Sequence, residues 1–310
     1  MVTAERQLRG AFTALVTPFT TDGAVDEHRF REFVTWQVLA GIDGVVPCGT
    51  TGESPTLSHG EKDALIDWTV EVVRSQAAGR HIPVIAGTGS NDTAATIAAT
   101  RRAAAVGADA ALVVTPYYNK PDQRMIEAHY RAIADEGDLP VVVYNVPGRT
   151  GVNVEAATML RLAEHPRIVA VKEASANLDQ IQTIIRNRPA GFSVLAGDDS
   201  WTLTVLAHGG DGVISVVSNE IPGAMAGLCT AARAGDWDEA RRLHELYLPL
   251  MRANFVTVNP VPVKAALAAM GLIEDAVRQP LLTLAEPQRG QLMDVLRDAG
   301  LVAPVAGVVR

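Results

Sequence analysis

The sequence predicts an α/β fold, a (β/α)₈ or TIM barrel, with a carboxyl-terminal helical extension. Eight short runs rich in β-branched residues alternate with longer amphipathic segments from the start of the 310-residue chain to about residue 217. Several runs are continuously apolar, which is typical of parallel strands covered on both faces. The strand count alone leaves an open doubly wound sheet as the alternative. Polar side chains at the ends of the runs favour the barrel, because barrel enzymes place their active sites at the carboxyl ends of the strands.

The predicted strands occupy residues 11–17, 44–48, 82–87, 109–115, 140–145, 168–173, 192–197 and 211–217. Two of the intervening helices have recognisable starts. Ser58 and Glu61 have the spacing of a capping box, and Asn177 with Gln180 gives the same signal. Apolar residues at helical spacing follow each start, and we interpret them as core.

The alternation of strands and helices ends near residue 219, where the last barrel helix is predicted to begin. Only helical patterns follow, including residues 235–256, 259–270 and 286–299, and residues 303–310 are predicted to be a frayed tail. We therefore predict a catalytic barrel over residues 1–218 and a helical region over residues 219–310.

Composition excludes several classes of protein. A net charge of −8 without a basic run argues against nucleic acid or an anionic membrane as partner. No apolar stretch of about 18 residues predicts a membrane span. Two cysteines and an amino terminus without a signal-peptide core predict a cytoplasmic location. The histidines lack zinc-ligand spacing, and residues 87–89 are only a fragment of a dinucleotide fingerprint, so we expect neither a metal nor a cofactor.

Lys172 is the one cation in the apolar run 168–174. A neutral lysine amine condenses with ketones, and burial favours the neutral form. Side chains alternate along a strand, so if Lys172 faces inward then Glu173 faces outward and cannot neutralise it directly. The alternative is a strand-end lysine whose ammonium reaches solvent.

Residues 49–53, Gly-Thr-Thr-Gly-Glu, follow the second predicted strand. Two glycines around two hydroxyls form a tight loop whose amides and side chains can hold a small carboxylate, although a plain turn is the alternative. Cys48 precedes the loop. Without a histidine partner nearby, it is better interpreted as a small buried hydrophobic residue than as a nucleophile.

Two further predicted strands end in polar residues. Tyr118 and Tyr144 can relay protons through their phenols, or they can simply pack in the barrel. Arg149 lies in a proline- and glycine-containing loop, where its planar fork of donors suits a carboxylate, with a solvated arginine as the alternative. Asp198 and Asp199 would repel a phosphate, and we expect them to cap the helix that begins near residue 200.

Together these motifs resemble those of the dihydrodipicolinate synthase and N-acetylneuraminate lyase family of pyruvate-dependent aldolases. The resemblance covers about residues 10–301, and seven motifs occur in the family's order. They are residues 49–53, 115–118, 144–150, 171–173, 197–199, 212–215 and 259–264.

The resemblance implies a catalytic set of four residues. Lys172 would form a Schiff base with pyruvate, and Tyr144 would shuttle protons. Thr50 would link Tyr144 to Tyr118, which in the family reaches into the site of the neighbouring subunit of a homotetramer, a dimer of dimers. No cofactor is implied, because the imine itself is the electron sink.

The resemblance also implies the substrates. Thr51 and the adjacent backbone would hold the carboxylate of pyruvate, and Arg149 would bind the carboxylate of aspartate 4-semialdehyde. The backbones of Gly197 and Ile214 would line the pocket. The product would be 4-hydroxy-tetrahydrodipicolinate, formed in the first committed step of diaminopimelate and lysine biosynthesis.

The synthases are favoured over the lyases by three features, namely Thr50 beside Thr51, Arg149, and the stretch 259–264. The alternatives are cleavage of N-acetylneuraminate, a 2-keto-3-deoxy sugar acid or hydroxy-oxoglutarate, and a barrel retained as a non-catalytic metabolite-binding regulator.

Feedback inhibition by lysine is expected to be weak or absent. Lysine-inhibited members keep a glutamate where this chain has Ala95 and often a histidine where it has Lys62. These positions lie beside a cleft expected near Ser54, His59, Asn91 and Tyr117. A bound lysine's ammonium would lose a carboxylate partner and meet a like charge.

Overall fold

The computed structural model describes residues 7–303 and confirms the eight-stranded barrel. All the strands are parallel. In chain order they are β1 Gly10–Ala14, β2 Gly44–Val46, β3 Ile85–Gly87, β4 Ala110–Val114, β5 Val141–Asn145, β6 Ile168–Glu173, β7 Ser193–Ala196 and β8 Gly212–Ser215. Each lies within or overlaps the corresponding predicted run.

Strand pairing distinguishes the closed barrel from an open sheet. β1 pairs with both β2 and β8, and the order continues through β7, β6, β5 and β4 to β3. The circle closes between β2 and β3, where Val45 forms a parallel bridge with Val84 and donates its amide to the Pro83 carbonyl at 3.0 Å. The expectation of a (β/α)₈ barrel is therefore confirmed.

Helices surround the barrel and extend beyond it. They are α1 Glu27–Leu39, α2 His59–Gln76, α3 Thr93–Ala105, α4 Gln123–Glu136, α5 Pro147–Thr150, α6 Ala156–Ala163, α7 Leu178–Asn187, α8 Thr202–Ala207, α9 Pro222–Ala234, α10 Trp237–Ala253, α11 Val261–Ala269 and α12 Gln288–Asp298. None of the helices within residues 7–303 has both the length and the apolarity needed to cross a membrane.

The last barrel helix is α9, which packs against β1. It is followed by α10, α11 and α12, which correspond to the three carboxyl-terminal helical patterns read from the sequence. The division at residue 218 stays a prediction. The predicted tail lies outside the described residues, apart from residue 303.

Helix starts follow the predicted chemistry. The Ser58 hydroxyl accepts from the Glu61 amide at 3.2 Å, and the Glu61 carboxylate accepts from the Ser58 amide at 2.8 Å, which completes the capping box. Asn177 Oδ1 accepts from the Gln180 amide at 3.1 Å. Both caps therefore satisfy amides that the first helical turn leaves without partners.

Two apolar layers set the orientation of the strand side chains. One fills the barrel interior and includes Phe12, Leu112 and Ala170. The other lies between the strands and the surrounding helices and includes Val171. Since successive side chains of a strand point to opposite faces, Ala170 and Lys172 share the inner face of β6.

Asp198 and Asp199, expected to share a capping role, do different things. Asp198 Oδ1 accepts from the amide and the hydroxyl of Ser200, at 2.9 and 2.7 Å, and so caps a short 3₁₀ turn. Asp199 is buried instead, and its Oδ2 accepts from the amides of Val216 and Val217 at 3.0 and 2.8 Å. Only Asp198 is the expected cap.

Asp199 and Glu220 are two buried carboxyl groups. Glu220 Oε2 accepts from Asn254 Nδ2 at 2.6 Å. Burial raises the pKa of Asp199 to about 6 and raises the pKa of Glu220 well above its ordinary value. A group whose folded-state pKa is raised contributes stability that is fully present below its unfolded pKa and is lost as the pH rises through the folded pKa.

We expect Glu220→Gln to melt at a higher temperature than the parent protein at pH 8, by about 3 °C or more, with a smaller difference at pH 5. The amide removes the cost of ionising a buried carboxyl group at high pH. Thermal unfolding followed by circular dichroism from pH 5 to 8 measures this, with the exposed Glu164→Gln as control. Parallel profiles for the parent and Glu220→Gln would contradict it.

Candidate active site

A cavity of about 130 Å³ lies at the carboxyl ends of the strands. It brings together six of the eight residues predicted to catalyse or bind substrate, which come from four separate segments of the chain. They are Thr50, Thr51, Tyr144, Arg149, Lys172 and Gly197. This convergence is what the barrel topology predicts for residues that end different strands.

Lys172 and Tyr144 lie side by side. They are register partners on the adjacent strands β6 and β5, so their side chains share a face. Lys172 is only 5 % exposed, and its Nζ lies 4.3 Å from the centroid of the Tyr144 ring. The amine is thus held in the barrel mouth rather than extended into solvent, and the alternative of a solvent-exposed lysine is wrong.

Glu173 points away from the amine, as strand alternation predicts. Its carboxylate accepts from Asn145 Nδ2 at 3.1 and 3.2 Å, from Gln180 Nε2 at 3.2 Å and from the Ser175 amide at 2.8 Å. Burial raises the pKa of Glu173, and these donors counteract that effect. Its carboxylate is therefore engaged on the outer side of β6 instead of pairing with Lys172.

The loop of residues 49–53 is folded so that two amides remain available. The amides of Gly52 and Glu53 donate back to the carbonyls of Gly49 and Thr50, at 3.2 and 3.1 Å. Within residues 7–303, the amides of Thr50 and Thr51 have no such acceptor. Both residues line the cavity, so their amides and hydroxyls can bind a carboxylate.

Cys48 does not contribute a nucleophile. It is buried, and burial raises the pKa of its thiol to about 12, so the thiol stays neutral. Its interpretation as a small buried hydrophobic residue is confirmed.

Arg149 lies in the single-turn helix α5, directly after β5. Its side chain is exposed, and no carboxylate of residues 7–303 forms an ion pair with it. Its fork of donors is therefore free to bind an incoming carboxylate.

Gly197 allows β7 to approach β6 closely at the cavity wall. A Cβ there would lie 2.6 Å from the Ala174 Cβ and 3.1 Å from the Glu173 carbonyl oxygen, so a side chain would displace the end of the strand that carries Lys172. Ile214 lies in the interior apolar layer with Tyr144.

Several cavity residues were missed by sequence reasoning. Val216, Trp201 and Phe255 line the cavity, and nothing in their local sequence marks them. Asn259 also lines it; the sequence flagged the motif containing Asn259 but gave no role for its side chain. These residues are found only once the fold places them.

Tyr118 points outward. Its side chain is 88 % exposed, and its backbone adopts φ 74°, a left-handed conformation that costs a non-glycine residue energy. Thr50 and Tyr144 share the cavity, but in the described part of the chain no hydrogen bond joins their hydroxyls. The proton relay from Tyr144 through Thr50 to Tyr118 stays a prediction.

A second cavity, of about 310 Å³, adjoins the first and shares Thr50, Tyr144, Val146 and Arg149 with it. It is also lined by Ser54, Tyr117 and the half-buried Lys62, as expected for the effector cleft.

The other two residues expected at that cleft lie at its margin. Asn91 donates to the Tyr117 carbonyl at 3.3 Å. His59 is exposed at the start of α2. A role for this cleft in regulation stays a prediction.

Comparison with known proteins identifies the family. The model of the dihydrodipicolinate synthetase family matches residues 7–299, nearly the whole chain. The chain belongs to the dihydrodipicolinate synthetase family. It is 50 % identical over 295 residues to the 4-hydroxy-tetrahydrodipicolinate synthase of Maridesulfovibrio salexigens, covering 95 % of this chain and 99 % of that protein.

Solved structures of dihydrodipicolinate synthases agree with this family. The enzyme from Thermotoga maritima superposes with a TM-score of 0.92 at 43 % identity, covering 96 % of this chain and 100 % of that one. The chloride-inhibited enzyme from Acinetobacter baumannii, solved in complex with pyruvate, gives 0.91 at 42 % identity, covering 95 % and 99 %. The barrel and its carboxyl-terminal helices are thus shared across these synthases.

Proposed function

We propose that this member of the dihydrodipicolinate synthetase family condenses pyruvate with aspartate 4-semialdehyde to give 4-hydroxy-tetrahydrodipicolinate. One observation carries the proposal: a buried lysine amine, a tyrosine, a loop with free amides and an unpaired arginine converge on one cavity. The names of relatives near 50 % identity support the same reaction.

The first half of the reaction forms a Schiff base. The neutral amine of Lys172 attacks the ketone carbon of pyruvate, and the resulting carbinolamine loses water to give an imine. The Thr50 and Thr51 amides hold the carboxylate, which fixes the ketone against the amine. The Tyr144 hydroxyl transfers the protons that these steps require.

The second half forms the carbon–carbon bond. Loss of a methyl proton converts the imine to an enamine, whose carbon attacks the aldehyde of the second substrate. The substrate's own amino group then displaces Lys172 from the imine carbon and closes the ring. One water is released for each pair of substrates, and the lysine amine is regenerated. The imine supplies the electron sink, so the proposed chemistry draws on no cofactor.

We also propose that the protein is a cytoplasmic homotetramer. Large apolar side chains on its surface support an assembly, because such patches mark interfaces. Among them are Tyr117, Tyr118, Leu246 and Leu282. Two free, buried cysteines, Cys48 and Cys229, are compatible with a reducing compartment.

Comparison of turnover among substrates tests the reaction. We expect condensation of pyruvate with aspartate 4-semialdehyde to be faster by several orders of magnitude than cleavage of N-acetylneuraminate, a 2-keto-3-deoxy sugar acid or hydroxy-oxoglutarate. Faster cleavage of any of these would reassign the chain to that activity. No turnover with any of them would favour the non-catalytic metabolite-binding barrel.

We expect Arg149→Ala to raise the KM for aspartate 4-semialdehyde about 100-fold, since it removes a charge-assisted pair of hydrogen bonds. The KM for pyruvate should change less than about threefold, because the loop of residues 49–53 is untouched. Steady-state kinetics with each substrate varied in turn measures both constants. Arg149→Lys, which keeps the charge without the planar fork, should fall between the two proteins. An unchanged KM for the semialdehyde in Arg149→Ala would exclude this role.

A further inference from the structure

The loop that presents the Thr50 and Thr51 amides is held by a buried ion pair from the carboxyl-terminal helices. Glu53, the last residue of the loop, accepts from Lys264 Nζ at 2.6 Å. Its other carboxylate oxygen accepts from the Arg278 amide at 3.0 Å. Both donors are more than 200 residues away in sequence.

The ion pair is shielded from water. Lys264 is 0 % exposed, and the Glu53 side chain is buried with it. Lys264 Nζ also donates to the Thr17 carbonyl at 2.9 Å and lies 4.1 Å from the centroid of the Phe19 ring. Buried charges with good hydrogen-bonding geometry define one arrangement, because removing either partner leaves the other uncompensated.

Glu53 itself is in a strained conformation. Its φ of 54° lies in the left-handed region, which a non-glycine residue occupies only where the surrounding contacts over-determine it. The two bonds to its carboxylate supply that constraint. They hold the end of the loop in a shape that the backbone alone would not favour.

The two preceding residues are held as well. Asn259 Nδ2 donates to the Thr51 hydroxyl at 3.0 Å, and the Thr17 hydroxyl donates to the Gly52 carbonyl at 2.7 Å. Three consecutive loop residues are therefore fixed from outside the loop, two of them by the carboxyl-terminal region. Thr17 contacts both the loop and Lys264, which joins these anchors into one network.

The Arg278 amide is itself firmly placed. Its guanidinium binds both carboxylate oxygens of Glu61, at 2.5 and 3.0 Å, and donates to the carbonyls of Gly23 and Thr56. The pairing with Arg278 lowers the pKa of Glu61 to about 2, so this contact persists at any pH at which the enzyme would be assayed.

We propose that the ion pair between Lys264 and Glu53 positions the amides of Thr50 and Thr51 for the carboxylate of pyruvate, so that the carboxyl-terminal helices set the affinity for the first substrate. Lys264 and Glu53 are positioning residues, since neither lines the cavity. The inference rests on the proposed function, because it assigns the loop to pyruvate.

The test measures pyruvate capture alone. The rate of irreversible trapping by borohydride is followed against pyruvate concentration for the parent, Glu53→Gln, Lys264→Met and the double variant. The double variant leaves no uncompensated buried charge, so it keeps a folded protein available if the single variants unfold. Arg289→Met breaks an ion pair with Asp275 in the same region without touching the loop, and serves as control.

We expect the half-saturating pyruvate concentration to rise about tenfold in the folded variants, including the double variant, while the maximal trapping rate changes less than about threefold. Arg289→Met should match the parent. A folded double variant with the parent's half-saturating concentration, or with only its maximal rate reduced, would overturn the inference. If the parent itself were not trapped by pyruvate, the proposed function would fail instead.

Discussion

Lys172→Met is expected to lower kcat by at least about 10⁴-fold, because the variant retains the shape of a buried side chain but has no amine to form the imine. The protein should remain folded, since methionine fills the barrel mouth without leaving a buried polar group unpaired. Steady-state turnover of pyruvate with aspartate 4-semialdehyde, together with circular dichroism, measures both properties.

Lys62→Met is the matched control for Lys172→Met. It also removes a partly buried lysine, but one that lines the second cavity and does not line the first. Its kcat should stay within about threefold of the parent value. Comparable activity losses in both variants would indicate a general effect of removing buried lysines and would contradict a covalent role for Lys172.

Tyr144→Phe is expected to lower kcat about 10²- to 10³-fold, since it removes the hydroxyl that transfers protons and keeps the ring beside the Lys172 amine. Because the ring packing is retained, the melting temperature should change by only a few degrees, about 4 °C at most. The rate of pyruvate capture should fall together with kcat, as both need proton transfer. A kcat within about threefold of the parent would assign Tyr144 to packing alone.

Most of the fold could be predicted because hydrophobic periodicity reports burial directly. The apolar run around Lys172 marked a strand covered on both faces, and the capping residues Ser58 and Asn177 marked helix starts through hydrogen bonds that span only three residues. The closure of the sheet was the weaker inference. It depends on contact between β2 and β3, which no local pattern encodes.

The candidate site divided along the same line. Lys172, Tyr144 and Arg149 follow strands, so barrel topology alone brings them together. Interactions between distant residues could not be predicted. The sequence motifs included Glu53 and Lys264, but nothing in them shows that the two charges meet inside the protein. Likewise, adjacent aspartates looked alike as helix caps until the fold buried Asp199 beneath Val216.

Borohydride reduction in the presence of pyruvate, followed by peptide mapping, tests the Schiff-base mechanism most directly. The reduced imine is stable, so mass spectrometry locates the modified lysine among the four in the chain, which are Lys62, Lys120, Lys172 and Lys264. We expect pyruvate-dependent label on the peptide that contains Lys172 and on no other. Label on any other lysine, or no label at all, would contradict the mechanism.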